Sequence, residues 1–219
     1  MKASVQDIQT LRGRTQAGML DCKKALEACD GDMDKAVAWL RESGLAKVAK
    51  KQDRIAAEGI VDAYIHMGGK IGVLVEVNSE TDFVARGEKL KELAHNLCLQ
   101  VAASKPLYVS RSEVPAEVIE KEREIYVQQC LNDEKNKNKP ENVVNMIVDN
   151  KLNKYYQEIC LLEQPYFRDE SKTIQDLVNE ASMVLGEKIS VRRFARFEMG
   201  EGLEKKVNDL AAEVAKERG

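Results

Sequence analysis

Gly72-Val73-Leu74-Val75-Glu76-Val77-Asn78-Ser79-Glu80-Thr81-Asp82-Phe83-Val84-Ala85-Arg86 is the stretch on which the reading of this chain turns. Its first half alternates, with Val73, Val75 and Val77 on one side, which is the period of a strand with one buried face. Its second half is a polar turn that sets a large aromatic side chain beside a carboxylate. Two readings of Asp82 and Phe83 are open on this pattern. In one, Asp82 caps a short helical turn and Phe83 tucks into the core as a staple. In the other, the pair stands out on a loop after a rigid strand and pushes into another protein. Pattern alone favours the staple.

The neighbouring segments supply a sheet and its cover. Upstream, Ile60-Val61-Asp62-Ala63-Tyr64-Ile65-His66 alternates, and Gly68-Gly69 offers the positive φ angles of a tight hairpin. Downstream, a long amphipathic helix starts at Gly87-Glu88, carries Leu90, Leu93, Ala94, Leu97 and Val101, and ends before Pro106. Far along the chain, Ile189, Val191, Ala195 and Phe197 alternate as a third strand. A helix from Thr173 to Gly186 precedes it. Residues 55–200 are thus predicted to form an α+β core around a small antiparallel three-stranded sheet packed with helices.

An excursion interrupts this core at about residues 113–163. Pro115 opens a helix with Val118, Ile119, Ile125 and Tyr126 on its stripe. A charged break follows at residues 133–140, and a second helix carries Val144, Val148, Leu152, Tyr155 and Ile159. Two helices joined by a polar tip form an antiparallel hairpin. The single narrow apolar stripe makes it a protruding arm, and its Lys/Asn-rich tip reads as a solvated turn.

The N-terminal residues 1–54 read as a compact three-helix head. Ser4 caps a helix with Val5, Ile8 and Leu11. Gly13 and Gly18 bracket a polar link. Met19, Leu20, Leu26 and Cys29 line a second helix that Gly31 ends. Asp32 caps a third helix with Met33, Ala36, Val37 and Leu40, closed by Gly44. Residues 45–57 are helical in propensity and locally basic, a solvated face. At the other end, residues 201–219 are predicted to form a C-terminal amphipathic helix with Leu203, Val207, Leu210 and Val214 on one stripe.

Composition narrows the function. Among 219 residues, 32 % are charged, 5 % are aromatic and the net charge is −3. A dominant nucleic-acid surface would carry a basic excess, so no direct nucleic-acid partner is expected. No apolar run approaches the ~18 residues that span a bilayer, and no membrane partner is expected. The five cysteines are odd in number and widely spaced, with no CxxC, and the histidines are His66 and His95 alone. That pattern fits a reducing cytoplasm and neither a disulfide framework nor a metal site. No Walker loop, G-x-G-x-x-G, GxSxG or HExxH occurs. No catalytic residue and no cofactor is therefore assigned, and the chain reads as an interaction protein rather than an enzyme.

Two separated segments resemble the translation elongation factor Ts family. The first is Leu11-Arg12-Gly13-Arg14-Thr15-Gln16-Ala17-Gly18-Met19-Leu20-Asp21-Cys22-Lys23-Lys24-Ala25-Leu26, and the second is Val75 to Arg86. The likeness continues through Val101 to Pro106, Gln164 to Phe167 and Arg196 to Glu198, so it covers essentially the whole chain. With one sheet subdomain, the chain is similar to the short form of the family. The resemblance implies a guanine nucleotide exchange factor whose partner is elongation factor Tu, a GTPase. It implies a ubiquitin-associated-like head that docks on the partner's GTPase domain, with Arg12, Met19 and Leu20 in the docking segment. Thr81, Asp82, Phe83 and Val84 match the segment that disturbs the partner's magnesium site. The C-terminal tail would add contacts to the same domain, and a homodimer through the short core stays open. Gln16 stands where the family has glycine. Gln100 stands where several members carry a partner-contacting histidine, so that contact is not carried over. The rival reading is a ubiquitin-associated-like adaptor or nascent-chain-binding module with no exchange activity.

Overall fold

The computed structural model describes residues 3–15, 17–136 and 139–203. The C-terminal helix expected beyond Leu203, with Val207, Leu210 and Val214, lies outside the described residues, as does Gln16. What is described is an α+β fold with a helical head, a small antiparallel sheet and a helical arm.

The head is built of α1 (Val5–Thr15), α2 (Met19–Ala28) and α3 (Met33–Ala49). Its core is Ile8, Leu11, Cys22, Ala25, Leu26, Ala36 and Leu40. The Ser4 hydroxyl accepts from the Asp7 amide at 3.1 Å, and Asp32 accepts from the amides of Asp34 and Lys35, so both expected caps are made. Three expectations are corrected. Gly13 lies inside α1, so the link to α2 is shorter than the glycine pair implied. Met19 and Leu20 face outward, with Cys22 and Ala25 taking their place inside. Gly44 does not end α3, because the helix continues to Ala49 and buries Val48. The reason for a glycine there is tertiary. A Cβ on Gly44 would sit 1.9 Å from the Met183 sulfur of α8 (Ile174–Leu185). With hydrogen at this position, the Met183 side chain packs directly against α3.

β1 (Glu58–His66) and β2 (Ile71–Ser79) pair antiparallel, and β5 (Ser190–Glu198) joins the far side of β2, giving the order β1-β2-β5. α5 (Glu88–Ser104) covers one face, and α8 packs beside α5. Val73, Val75 and Val77 meet Leu90, Leu93, Leu97, Val101, Ile174 and Val178 in the main core. The third strand departs from simple alternation. Val77 pairs Val191 while Glu76 pairs Arg193, so Arg192 is an extra residue in a β-bulge. A bulge of one residue shifts the inward phase. Ile189 and Val191 point in, but beyond the bulge Phe194 and Arg196 take the core side, and Phe197 is exposed.

The arm consists of α6 (Ala116–Asn132) and α7 (Glu141–Ile159). Its own small core is Cys130, Val144, Val148 and Leu152 with Ile119 and Tyr126. Ile125, expected on this stripe, is exposed instead. The base of the arm is bolted by Arg111, which grips Glu163 through two nitrogens and lies 4.3 Å over the ring of Tyr156. A two-stranded hairpin, β3 (Pro165–Tyr166) with β4 (Asp169–Thr173), returns the chain to α8 and was not signalled by periodicity.

Candidate partner-binding loop

β2 ends at Ser79, and the chain turns at once into α4 (Asp82–Ala85), a single helical turn. Thr81, not Asp82, is its N-cap. The Thr81 backbone is extended (φ −128°, ψ 151°) and its hydroxyl accepts from the Val84 amide at 3.3 Å. Successive helical positions differ by about 100° in direction. That spacing lets Val84 and Ala85 enter the core while Phe83 points away from it. Phe83 is 89 % exposed. The staple reading is therefore overturned. Burying a phenylalanine contributes about 1.5–3 kcal/mol, and this fold forgoes nearly all of that at Phe83. Asp82 is also outward and pairs with Arg86 at 2.6 Å, one turn further on.

So short a helix has no stability of its own. It is held from elsewhere in the chain. Gly186 caps α8 in the left-handed region (φ 76°) and turns the next residues toward the loop. Glu187 then accepts three hydrogen bonds, from the amides of Glu80 and Thr81 at 3.0 Å each and from the Thr81 hydroxyl at 2.6 Å. In return the Lys188 amide donates to Glu80 at 2.6 Å. Arg54, at the exit from the head, adds hydrogen bonds to both Glu80 oxygens, and the Lys188 ammonium donates to the Gln52 and Arg54 carbonyls. The Lys188 amide first, and then the Arg54 guanidinium, hold the Glu80 carboxyl below its ordinary range. Glu80, Glu187 and Lys188 were missed in the sequence. Their partners lie more than a hundred positions away, and no local pattern marks them.

The other expected site residues lie on the head. Arg12 is exposed on α1, Met19 is 39 % exposed and Leu20 is 75 % exposed. Arg12 and Met19 line one shallow depression with Gln9, Gly13 and Lys89 of α5. Gln100 is a buried bracket. Its amide nitrogen lies within 3.2 Å of the Gln164 and Pro165 oxygens, and its own oxygen accepts from the Phe167 amide. It is thus committed to holding the β3 segment against α5.

Burial pushes the Cys98 thiol up to about 12 and the Cys160 thiol to about 11, so both stay protonated at neutral pH. Among the described residues no group of three His, Cys, Asp or Glu side chains is arranged to hold a metal ion. Among them, too, no helix is long and apolar enough to cross a membrane.

Comparison with known proteins bears on the partner. Residues 17–201 match the family described as Elongation factor TS. The chain is 55% identical over 212 residues to Elongation factor Ts of Desulforamulus reducens, covering 97% of this chain and 96% of that protein. It is 56% identical over 210 residues to the protein of the same name from Heliobacterium modesticaldum, covering 96% of each. The Moorella thermoacetica protein, again of that name, is 57% identical over 197 residues, with 90% of this chain and 95% of that protein covered.

Proposed function

This chain belongs to the elongation factor Ts family, and on that premise we propose that it is a cytosolic guanine nucleotide exchange factor for elongation factor Tu. The observation that carries this reading is the mounting of Phe83. A large aromatic ring is held outside the fold, 89 % exposed, on a turn whose next two residues are buried. Such a side chain is free to enter another protein's surface, and it sits on the segment that the family likeness assigns to the partner.

The mechanism follows from linkage. A GTPase holds its nucleotide through a phosphate loop and a magnesium ion. An exchange factor binds the nucleotide-free partner more tightly than the loaded one, and nucleotide weakens the factor by the same ratio. Loosening the nucleotide by about 10⁴-fold takes roughly 5.5 kcal/mol of differential binding. Phe83 wedges between partner side chains beside the magnesium site, and Asp82 meets partner backbone or competes for charge near the metal. Thr81 and Val84 hold the turn, and Arg12, Met19 and Leu20 dock the head. Docking and wedging are binding steps, and the factor makes and breaks no covalent bond. The test is GDP release from elongation factor Tu, followed with a fluorescent GDP in the presence of excess unlabelled nucleotide. Substoichiometric factor is expected to accelerate release by at least about 10²-fold, and unchanged release overturns the proposal.

We also propose that the outer face of the sheet forms a homodimer. Val61, Ile65, Leu74 and Phe197 are exposed there. The register places Leu74, Ile65 and Phe197 in adjacent rows, Ala63 beside Leu74 beside Ala195, and Ile65 beside Gly72 beside Phe197, while Val61 lies in the next row beside the Glu76–Arg193 ion pair. An apolar sheet face of this kind matches a second copy of itself by two-fold symmetry. Leu74→Lys with Phe197→Glu is expected to convert a dimer to a monomer in sedimentation equilibrium at micromolar concentration. A wild-type chain that sediments as a monomer removes the idea.

A further inference from the structure

We propose that Glu187 is a positioning residue for nucleotide exchange, setting the direction of Phe83 through the hydroxyl of Thr81. The inference rests on the exchange-factor reading above and adds to it a residue outside the loop. The chemistry is in the single proton of the Thr81 hydroxyl. A hydroxyl has one hydrogen to donate and lone pairs to accept with. The hydroxyl donates to Glu187 Oε1 at 2.6 Å. Its lone pair is thereby left for the Val84 amide, at 3.3 Å, which is the capping bond of α4. The other carboxylate oxygen takes the amides of Glu80 and Thr81. One carboxylate thus fixes the entry to α4 at three atoms.

The geometry separates this role from general stabilisation. The three hydrogen bonds Glu187 accepts all come from Glu80 and Thr81, at the entry to α4. What Glu187 touches is the segment that leads into Phe83. The same turn also reaches the head, because Lys188 donates to the carbonyls of Gln52 and Arg54, and Arg54 bonds Glu80. The exit of the head and the entry to α4 therefore share one fixed point. A ring that must enter a partner in one orientation is sensitive to a displacement of about 1 Å.

The experiment measures GDP release from elongation factor Tu over a range of full-length factor concentrations. Each variant yields a plateau rate and a half-saturating concentration. Glu187→Ala is expected to lower the plateau about ten-fold while moving half-saturation less than about three-fold, because docking through the head is kept. Thr81→Val is expected to lower the plateau in the wild type and to add little in the Glu187→Ala background, since both break the same bond. Should Glu187→Ala fail to fold by circular dichroism, Glu187→Gln is read in its place. It keeps the volume and one carbonyl acceptor but turns an amide toward the Thr81 hydroxyl, and about a three-fold loss of plateau is expected. An unchanged plateau in a folded Glu187 variant overturns the positioning role, as does full additivity with Thr81→Val. Wild type and Phe83→Ala run alongside. If wild type fails to accelerate release, the exchange reading itself has failed. If wild type accelerates, Phe83→Ala does not and Glu187→Ala does, only the positioning role has.

Discussion

Phe83→Ala is expected to lower the plateau rate of GDP release from elongation factor Tu by about 30- to 100-fold, with no loss of thermal stability. The size comes from the behaviour of buried aromatic anchors at interfaces, where truncation removes about 2 kcal/mol or more and each 1.4 kcal/mol is a factor of ten. The direction comes from what the ring does. If it wedges open the magnesium site, it acts after docking, so the loss falls on the plateau and not on half-saturation. The unchanged stability follows from exposure. The side chain is 89 % accessible, and surface substitutions of this kind stay within about 0.5 kcal/mol. The measurement is stopped-flow release of fluorescent GDP at saturating factor, with a melting curve on the free variant. A plateau equal to wild type ends the wedge. A large drop in melting temperature would mean that Phe83 supports its own fold after all, contrary to its placement.

The second large effect is expected on the head. Leu20→Asp should weaken complex formation with nucleotide-free elongation factor Tu by about 30-fold or more, and leave the plateau of release close to wild type. Leu20 is 75 % exposed on the first turn of α2, beside Met19, while Cys22, Ala25 and Leu26 of the same helix fill the head's core. A carboxylate there meets water in the free protein and must be desolvated in the complex. That penalty, added to the lost apolar contact, is what about 2 kcal/mol represents. Isothermal calorimetry against the nucleotide-free partner checks it. Wild-type affinity would remove Leu20 from the docking surface and shift attention to Arg12 and Met19, which share a depression with Lys89. The two variants make opposite demands on the same titration. Leu20→Asp moves the concentration axis and Phe83→Ala moves the ceiling.

Much of the architecture was legible because local pattern and final burial agree. Val73, Val75 and Val77 alternate in sequence and are all buried in the sheet. Leu90, Leu93, Leu97 and Val101 step at helical spacing and are buried on α5. Ser4 and Asp32 sit where a helix needs an acceptor for its first amides, and both supply one. The failures share a cause as well. Gly44 looked like a stop signal, yet it is a mid-helix glycine packed against the side chain of Met183, about 140 positions away in the chain. The phase of β5 broke at Arg192 because a bulge inserts a residue that no periodicity announces. Gln100 stands where several family members carry a partner-contacting histidine, and here it is buried because Pro165 and Phe167 fold back to meet it.

By itself the sequence determined strands β1 and β2, the Ser4 and Asp32 caps and the two helices of the arm, since each depends on neighbours within a few residues. Whether Phe83 lies in the core or outside it was decided only by tertiary structure. A lone aromatic after a strand fits both outcomes, and its free energy depends on which neighbours arrive. Val84 and Ala85 claim the space against the sheet and α5. Glu187 fixes the polarity of the Thr81 hydroxyl from across the chain. With those two constraints in place, a single turn of helix has one direction left for Phe83, and it is outward.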